Sequence, residues 1–268
     1  MTENLRSHGA AAYGHARPEF GVLEGPAGQD GTRAVRAACV RTSPYPAVLT
    51  ALTEQEADAL ARRPAARHDG TGGTDPDGAR APLTGVSADR HTAEIFAAAW
   101  QRITGAEVAL ARRQRLYRLG ELRPPRPLPP GRARAVAEQD RELLARWYEE
   151  FRAAVGEPAG RGGHAWAQNR TRLGDVLLRE TPQGEPAAMA GRSPQVAGQV
   201  RITGVYTPAP LRGRGCAGAV TAELSRAVRA SGAREVVLFT DLANPTSNAL
   251  YQRLGYRPVS GFAQYAFT

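Results

Sequence analysis

The stretch LRGRGCAGAV, residues 211–220, sets two arginines among three glycines immediately before an apolar-periodic run. Glycine takes positive φ without strain and lets a ligand approach backbone N–H groups closely. Ala217, Val220, Leu224, Ala227 and Val228 recur at three- and four-residue intervals, which predicts a helix that starts inside the glycine run and stops at Ser231-Gly232. Its first free N–H groups and the positive end of its dipole would face the loop, where Arg212 and Arg214 add charge. The chemistry indicated is phosphate binding by Arg212, Gly213, Arg214, Gly215, Cys216 and Ala217. A tight strand-to-helix turn accounts for the same glycines, so the neighbouring elements decide. No Lys-Ser or Lys-Thr pair follows the glycines, which excludes a Walker loop. Gly213 and Gly215 give the first two positions of a dinucleotide fingerprint, but no acidic partner follows Gly218 at the expected distance.

The elements that must position this loop are legible on both sides of it. Val200 and Ile202 share one face of a strand by alternation, whereas Val205 has the opposite parity, which predicts a β-bulge at Thr203-Gly204. Bulges with glycine sit where a strand parts from its neighbour. EVVLFT, residues 235–240, is a continuous apolar run and reads as a buried parallel strand. In DLANPTSNALYQRLGY, Asn244 reads as an N-cap, Pro245 as the first helical residue and Gly255 as the stop.

With strand, phosphate loop, helix, strand and helix in that order, the sequence resembles the GNAT superfamily of acyl-CoA N-acyltransferases. Arg212, Gly215 and Ala217 match its Gln/Arg-x-x-Gly-x-Gly/Ala loop; Asn244, Leu250-Tyr251 and Gly255-Tyr256 match its last helix. The resemblance runs from near Arg132 to Thr268 and implies an α/β GNAT fold, a mixed central sheet with splayed strands flanked by helices. RARAVAEQDRELLARWYEEF resembles the family's first strand and helix, with Leu144, Trp147, Phe151 and Val155 on one face, ended by Gly156 and Pro158. DVLLRE and EPAAMAGR, on either side of Gln183-Gly184, resemble its second and third strands as a hairpin.

The resemblance also implies site roles. Backbone groups of Val205, Tyr206 and Thr207 would hold the pantetheine arm of acetyl-CoA and meet the acyl carbonyl, and the amides from Arg212 to Ala217 would hold its pyrophosphate. Asn244 is a cofactor contact, a plain N-cap, or both. Tyr251 is the general acid for the departing thiolate, or a core aromatic on its helix. The family's glutamate on the fourth strand has no counterpart in Gln199, Val200, Arg201, Ile202 and Thr203. A base would come from Glu149, Glu150 or Asp241, or act through water.

The chain has 268 residues, two cysteines and a net charge of +9, and all 35 of its basic residues are arginine. With abundant Ala, Gly and Pro, arginine without lysine reads as the codon bias of a GC-rich bacterial genome rather than as a nucleic-acid signature. The arginines are scattered with no basic stripe among aromatics. Neither the N-terminus nor any apolar run has the length of a signal core or a membrane span, so the expectation is a cytoplasmic protein with no membrane partner. Cys39 and Cys216 lie far apart, and His8, His15, His68, His91 and His164 have no ligand spacing, so no metal is expected. Cys216 is a small filler at the loop's x position, or a thiol activated at a helix N-terminus.

In the N-terminal half, TEQEADALARRP opens with a capping box from Thr53 to Glu56 and predicts a short helix; residues 67–82 read as a flexible loop. Trp100-Gln101-Arg102-Ile103 parallels Tyr251-Gln252-Arg253-Leu254, as a pseudo-repeat or as coincidence between amphipathic helices. A true repeat would make the fold tandem, with a degenerate N-terminal α/β unit lacking the loop and carrying Trp100 in place of the hydroxyl. RPPRPLPPGR reads as a stiff linker. The expected organisation is therefore 1–122, a linker at 123–131, and a GNAT domain at 132–268, monomeric or homodimeric. The expected activity is acetyl transfer from acetyl-CoA to a small-molecule or peptide primary amine, by direct attack in a ternary complex. A catalytically weak acyl-CoA-binding regulator and an arginine-driven nucleic-acid binder are the alternatives.

Overall fold

The computed structural model describes residues 19–27, 30–42, 45–65, 82–157 and 162–268. The described residues divide into two compact units, one running up to Arg115 and joined by Ser260–Thr268, the other Leu116–Val259. The division falls inside strands β5 (Val108–Leu119) and β11 (Tyr256–Phe267), and the proline-rich stretch 123–131 belongs to the second unit. The Pro158 end expected for the first helix of the second unit, and all but Pro82 of the 67–82 loop, lie outside the described residues.

The first unit contains β1 (Glu19–Ala27), β2 (Arg33–Arg41), β3 (Ala47–Leu49), α1 (Glu54–Ala65), β4 (Gly85–Asp89) and α2 (Arg90–Thr104). Its strands follow the order β1-β2-β3-β4-β11-β5. β3 and β4 pair in parallel, and α1 lies in the crossover that a parallel pair requires. The capping box forms in full: Thr53 N donates to Glu56 Oε2 at 2.8 Å and Glu56 N to Thr53 Oγ1 at 3.3 Å. Ala57, Ala61, Ala93 and Ala97 are buried with Val86, Phe96, Trp100 and Phe267. The Trp100 and Phe267 rings stack with centroids 5.4 Å apart.

The second unit contains β6 (Arg132–Ala135), α3 (Arg141–Ala154), α4 (Gly163–Leu173), β7 (Val176–Glu180), β8 (Pro186–Arg192), β9 (Gln199–Tyr206), α5 (Cys216–Ala230), β10 (Glu235–Asp241) and α6 (Pro245–Arg253). Its strands run in the order β5-β10-β9-β8-β7-β6, with β6 to β9 antiparallel and β9 parallel to β10. The parallel pair is joined through α5, as in a βαβ unit. One core gathers Val200, Ile202, Val220, Leu224, Val236, Leu238 and Tyr256 beneath α5. A second gathers Leu144, Trp147, Ala167, Leu178, Met189 and Tyr206 against α3 and α4. Alternation along β9 decides which residue joins which core.

Three arginines anchor the β6–β7 end. Arg179, 1 % exposed, donates to Gly131 O at 2.9 Å and to Pro129 O, and pairs with Glu223 at 3.1 Å, which ties the proline-rich stretch to β7 and α5. Arg134 donates bidentately to Asp140 at 2.6 and 2.9 Å and to Glu180 at 2.5 Å; Arg132 adds a bond to Glu180 at 3.1 Å. The Arg134 guanidinium holds both carboxyls below their ordinary values. A depressed folded-state pKa stabilises above the unfolded value, near 4 for a carboxyl, and that contribution is lost as pH falls through the folded value. Calorimetric scans between pH 7 and pH 3 should therefore show the melting temperature dropping steeply on the acid side. Arg134→Ala should lower it at pH 7 and flatten that acid slope.

Candidate functional site

The site is organised by β9. Opposite β8, Met189 faces Tyr206 and Gly191 faces Thr203, so two steps on β8 span three on β9 and the extra residue falls at Gly204-Val205. Gly204 takes φ +59°, a value glycine adopts without Cβ strain. The bulge restores parity as the sequence predicts: Val205 packs against the α5-side core with Val200 and Ile202, and Tyr206 enters the α3-side core. Opposite β10, the ladder runs from Gln199/Glu235 to Arg201/Val237 and ends there, although β9 continues to Tyr206 and β10 to Asp241. The two strands part after that pair, just ahead of the bulge, and backbone groups of β9 from Ile202 to Tyr206 that face β10 have no ladder partner in it.

The chain then passes Thr207 and a 3₁₀ turn at Ala209–Leu211 into the glycine loop. Gly213 has φ +78° and Gly215, the N-cap of α5, has φ +77°. The first helical bond is donated by Ala219 N to Gly215 O at 3.1 Å, which leaves the amides of Cys216, Ala217 and Gly218 unused by the helix. The loop is braced from within: Arg212 Nε donates to Thr207 O at 3.0 Å and an Arg214 Nη to Pro210 O at 3.3 Å. A Cβ on Gly213 would meet nothing within 4 Å, so the space beside the loop is open. A Cβ on Gly218 would lie 3.1 Å from Leu250 and 3.3 Å from Pro125, while Gly215 approaches Pro129. The proline-rich stretch thus borders the loop, a proximity that composition alone could not reveal. Free amides, two exposed guanidinium groups and open space fit a pyrophosphate. Cys216 is buried in the α5-side core, consistent with a small filler.

On α6, Asn244 is the N-cap, accepting from Ser247 N at 3.0 Å, and Pro245 opens the helix. Asn248, which the sequence reading passed over, donates to Asp241 O and Asn244 O, both at 2.7 Å, and accepts from the Tyr117 hydroxyl at 3.0 Å. Gln252 donates to the same Tyr117 oxygen at 3.0 Å. This net fixes α6 against the end of β10. Tyr251 is 8 % exposed, edge-on to Tyr256 with centroids 6.0 Å apart, and its hydroxyl has no hydrogen-bond partner among the described residues. Burial, with Tyr256 beside it, pushes the Tyr251 phenol above its ordinary value. Tyr256, hydrogen-bonded to Ser225 at 2.7 Å, is pushed up by burial to about 12. In the first unit, Trp100 stands eleven residues past its cap Asp89, whereas Tyr251 stands seven past Asn244, so the two tetrads are one turn out of step relative to their caps.

The opposite face of β9 meets α3 and α4. The Tyr206 hydroxyl donates to Glu150 Oε2 at 2.8 Å, and burial and the Glu150 charge raise its pKa. Of the three carboxylates considered as a base, Glu150 therefore reaches β9. Glu149 lies 3.6 Å from Arg152, and Asp241 accepts from Ala243 N at 2.8 Å at the end of β10. Helix α4, absent from the sequence reading, places Trp166 3.9 Å from a Cβ built on Gly204, and stacks that ring on Tyr148 at 4.2 Å between centroids. Among the described residues no helix is long and apolar enough to cross a membrane, and no group of three side chains is arranged to hold a metal.

Residues 176–265, which span β7 to β11, match the family model described as FR47-like protein. That stretch is about a third of the chain, and its likeness is to FR47-like proteins. The GNAT fold extends over most of the chain. A GCN5-related N-acetyltransferase from Kribbella flavida matches at 16 % identity and TM-score 0.59 over 92 % of this chain and 89 % of its own. One from Sphaerobacter thermophilus matches at 20 % and 0.61 over 92 % and 80 %, and a GNAT acetyltransferase from Colwellia psychrerythraea at 11 % and 0.55 over 88 % and 82 %. At these identities the likeness is one of fold. No curated protein matches the sequence. The positive φ at Gly215 makes a direct prediction, because an L side chain there costs about 1–2 kcal/mol. Gly215→Ala should lower the unfolding free energy by that amount in urea titration, and an unchanged midpoint would mean the loop does not hold this conformation.

Proposed function

We propose that this chain is a GNAT acetyltransferase that transfers an acetyl group from acetyl-CoA to a primary amine by direct attack in a ternary complex. The observation that carries this reading is the parting of β9 from β10 next to a glycine-broken helix N-terminus. One opening offers unpaired strand amides, the other a seat for phosphates. Arg212, Gly213, Arg214, Gly215, Cys216 and Ala217 hold the pyrophosphate through backbone N–H groups and charge. Val205, Tyr206 and Thr207 hold the pantetheine arm through their backbone. Acetyl-CoA supplies the thioester whose carbonyl carbon the amine attacks. A β9 N–H donates to the carbonyl oxygen as negative charge develops on it, which is worth about 3–4 kcal/mol in comparable sites. Asn244 caps α6 through its side-chain oxygen and turns its remaining amide toward the cofactor.

Tyr251 donates to the departing sulfur. With its pKa raised, the phenol keeps its proton well past the range in which a free thiol, with a value of about 8.5, ionises. Its hydrogen bond therefore stabilises the negative charge that develops on sulfur as the C–S bond breaks, throughout the working range. Glu150, held by Tyr206, receives the proton lost by the attacking amine, directly or through water. The first unit is read as a second, degenerate GNAT-like unit without a phosphate loop.

Release of free CoA thiol, followed across a panel of amines, tests the assignment. Tyr251→Phe and Glu150→Gln should each lower kcat by about 10²-fold with the KM for acetyl-CoA unchanged. Because a raised acid pKa moves its ionisation to higher pH, wild-type kcat should show no descending limb below about pH 10, the ordinary tyrosine value. Full turnover by Tyr251→Phe would remove the phenol from the mechanism.

A further inference from the structure

Arg201 is the last residue of β9 to pair with β10, and the two strands part immediately after it. Parity places its side chain on the face opposite Val200 and Ile202, the face that α3 and α4 cover. There its guanidinium lies over the Phe239 ring, 4.7 Å from the centroid. No hydrogen bond or ion pair is made by that guanidinium among the described residues. The residue is open to solvent, yet the protein around it presses its pKa below the ordinary arginine value, with Glu157 acting in the opposite sense. Buried or structural arginines elsewhere in this unit behave differently. Arg170, Arg179 and Arg134 all have carboxylate partners.

The backbone of β9 fixes the scale. Arg201 and Gly204 are three residues apart, roughly 10 Å along an extended strand. An unpaired guanidinium thus stands at one end of the α3/α4 face and the bulge at the other, with the Tyr206–Glu150 bond just beyond it. We propose that Arg201 is the acceptor's anion anchor, and that the acceptor is an extended amine carrying a carboxylate, such as a short peptide or a long ω-amino acid. This rests on the acetyl-transfer reading above. A planar guanidinium fixed by a ring presents its N–H fork to a carboxylate bidentately. The nearby Glu157 charge favours a monoanion over a phosphate dianion at this position.

The test uses binding as well as turnover. Acetyl-CoA is first titrated calorimetrically into the full chain and into Arg201→Gln; both should bind it with equal affinity, which also shows that the variant folds. Glycylglycine, glycylglycylglycine and 6-aminohexanoate are then titrated in the presence of CoA, each against its carboxamide and against O-phosphoethanolamine. The carboxylates should bind wild type about tenfold to a hundredfold tighter than their amides, a difference that Arg201→Gln abolishes and Arg201→Lys partly keeps. KM for the same compounds should follow the binding order while kcat changes little. If acetyl-CoA binds and the amides or the phosphoamine bind as well as the carboxylates, the anchor is wrong and acetyl transfer stands. If acetyl-CoA does not bind, the acetyl-transfer reading falls and the anchor with it.

Discussion

Every feature of the site depends on a ladder that stops short. Buried backbone N–H and C=O groups must be paired, and a strand that leaves its neighbour has to find other partners for them. In this chain β9 leaves β10 after the Arg201/Val237 pair because one extra residue at Gly204-Val205 twists it away. The same residue swaps parity, so Val205 seals the α5-side core while Tyr206 turns to Glu150. A single bulge thereby sends Val205 and Tyr206 to opposite faces of the sheet and leaves β9 amides without a ladder partner between them.

What holds the opening in shape is mostly polar. Asn248 ties α6 to the carbonyl of Asp241 and, through Tyr117, to Gln252, so the helix carrying Tyr251 is fixed to the end of β10 at several points. Arg179 binds carbonyls of the proline-rich stretch, and Pro125 and Pro129 of that stretch stand against Gly218 and Gly215. The glycine loop is accordingly shaped by a segment that precedes it by some ninety residues, and its conformation is set before any anion arrives.

Local rules made the centre of the domain legible. The apolar spacing from Ala217 to Val228, the cap at Asn244, the parity break before Val205 and the stop at Gly255 each act over a few residues, and each appears in the fold. Helix α4 was not legible because its sequence, GHAWAQNRTRL, has little apolar face. It is held by Trp166 on Tyr148 and by Arg170, which donates to Asp175 at 2.5 Å. Tyr117 and Asn248 are 131 residues apart, and no spacing rule links them. Strands β5 and β11 escaped for a related reason: β11 is interrupted by Pro258 and Gly261 with no two-residue alternation of burial, and its pairing with β4 is a long-range fact.

The central claim is that the glycine loop and the parted strands together hold acetyl-CoA. A ligand that binds only the folded state must raise its melting temperature, so the most direct measurement is a thermal-shift titration of the full chain with acetyl-CoA. ATP and NAD serve as controls, with Arg212→Glu alongside. The account predicts a saturable rise with acetyl-CoA that the two other nucleotides do not reproduce and that Arg212→Glu abolishes. An equal shift with all three anions, or none with acetyl-CoA, would contradict it and reduce the cradle to a basic turn.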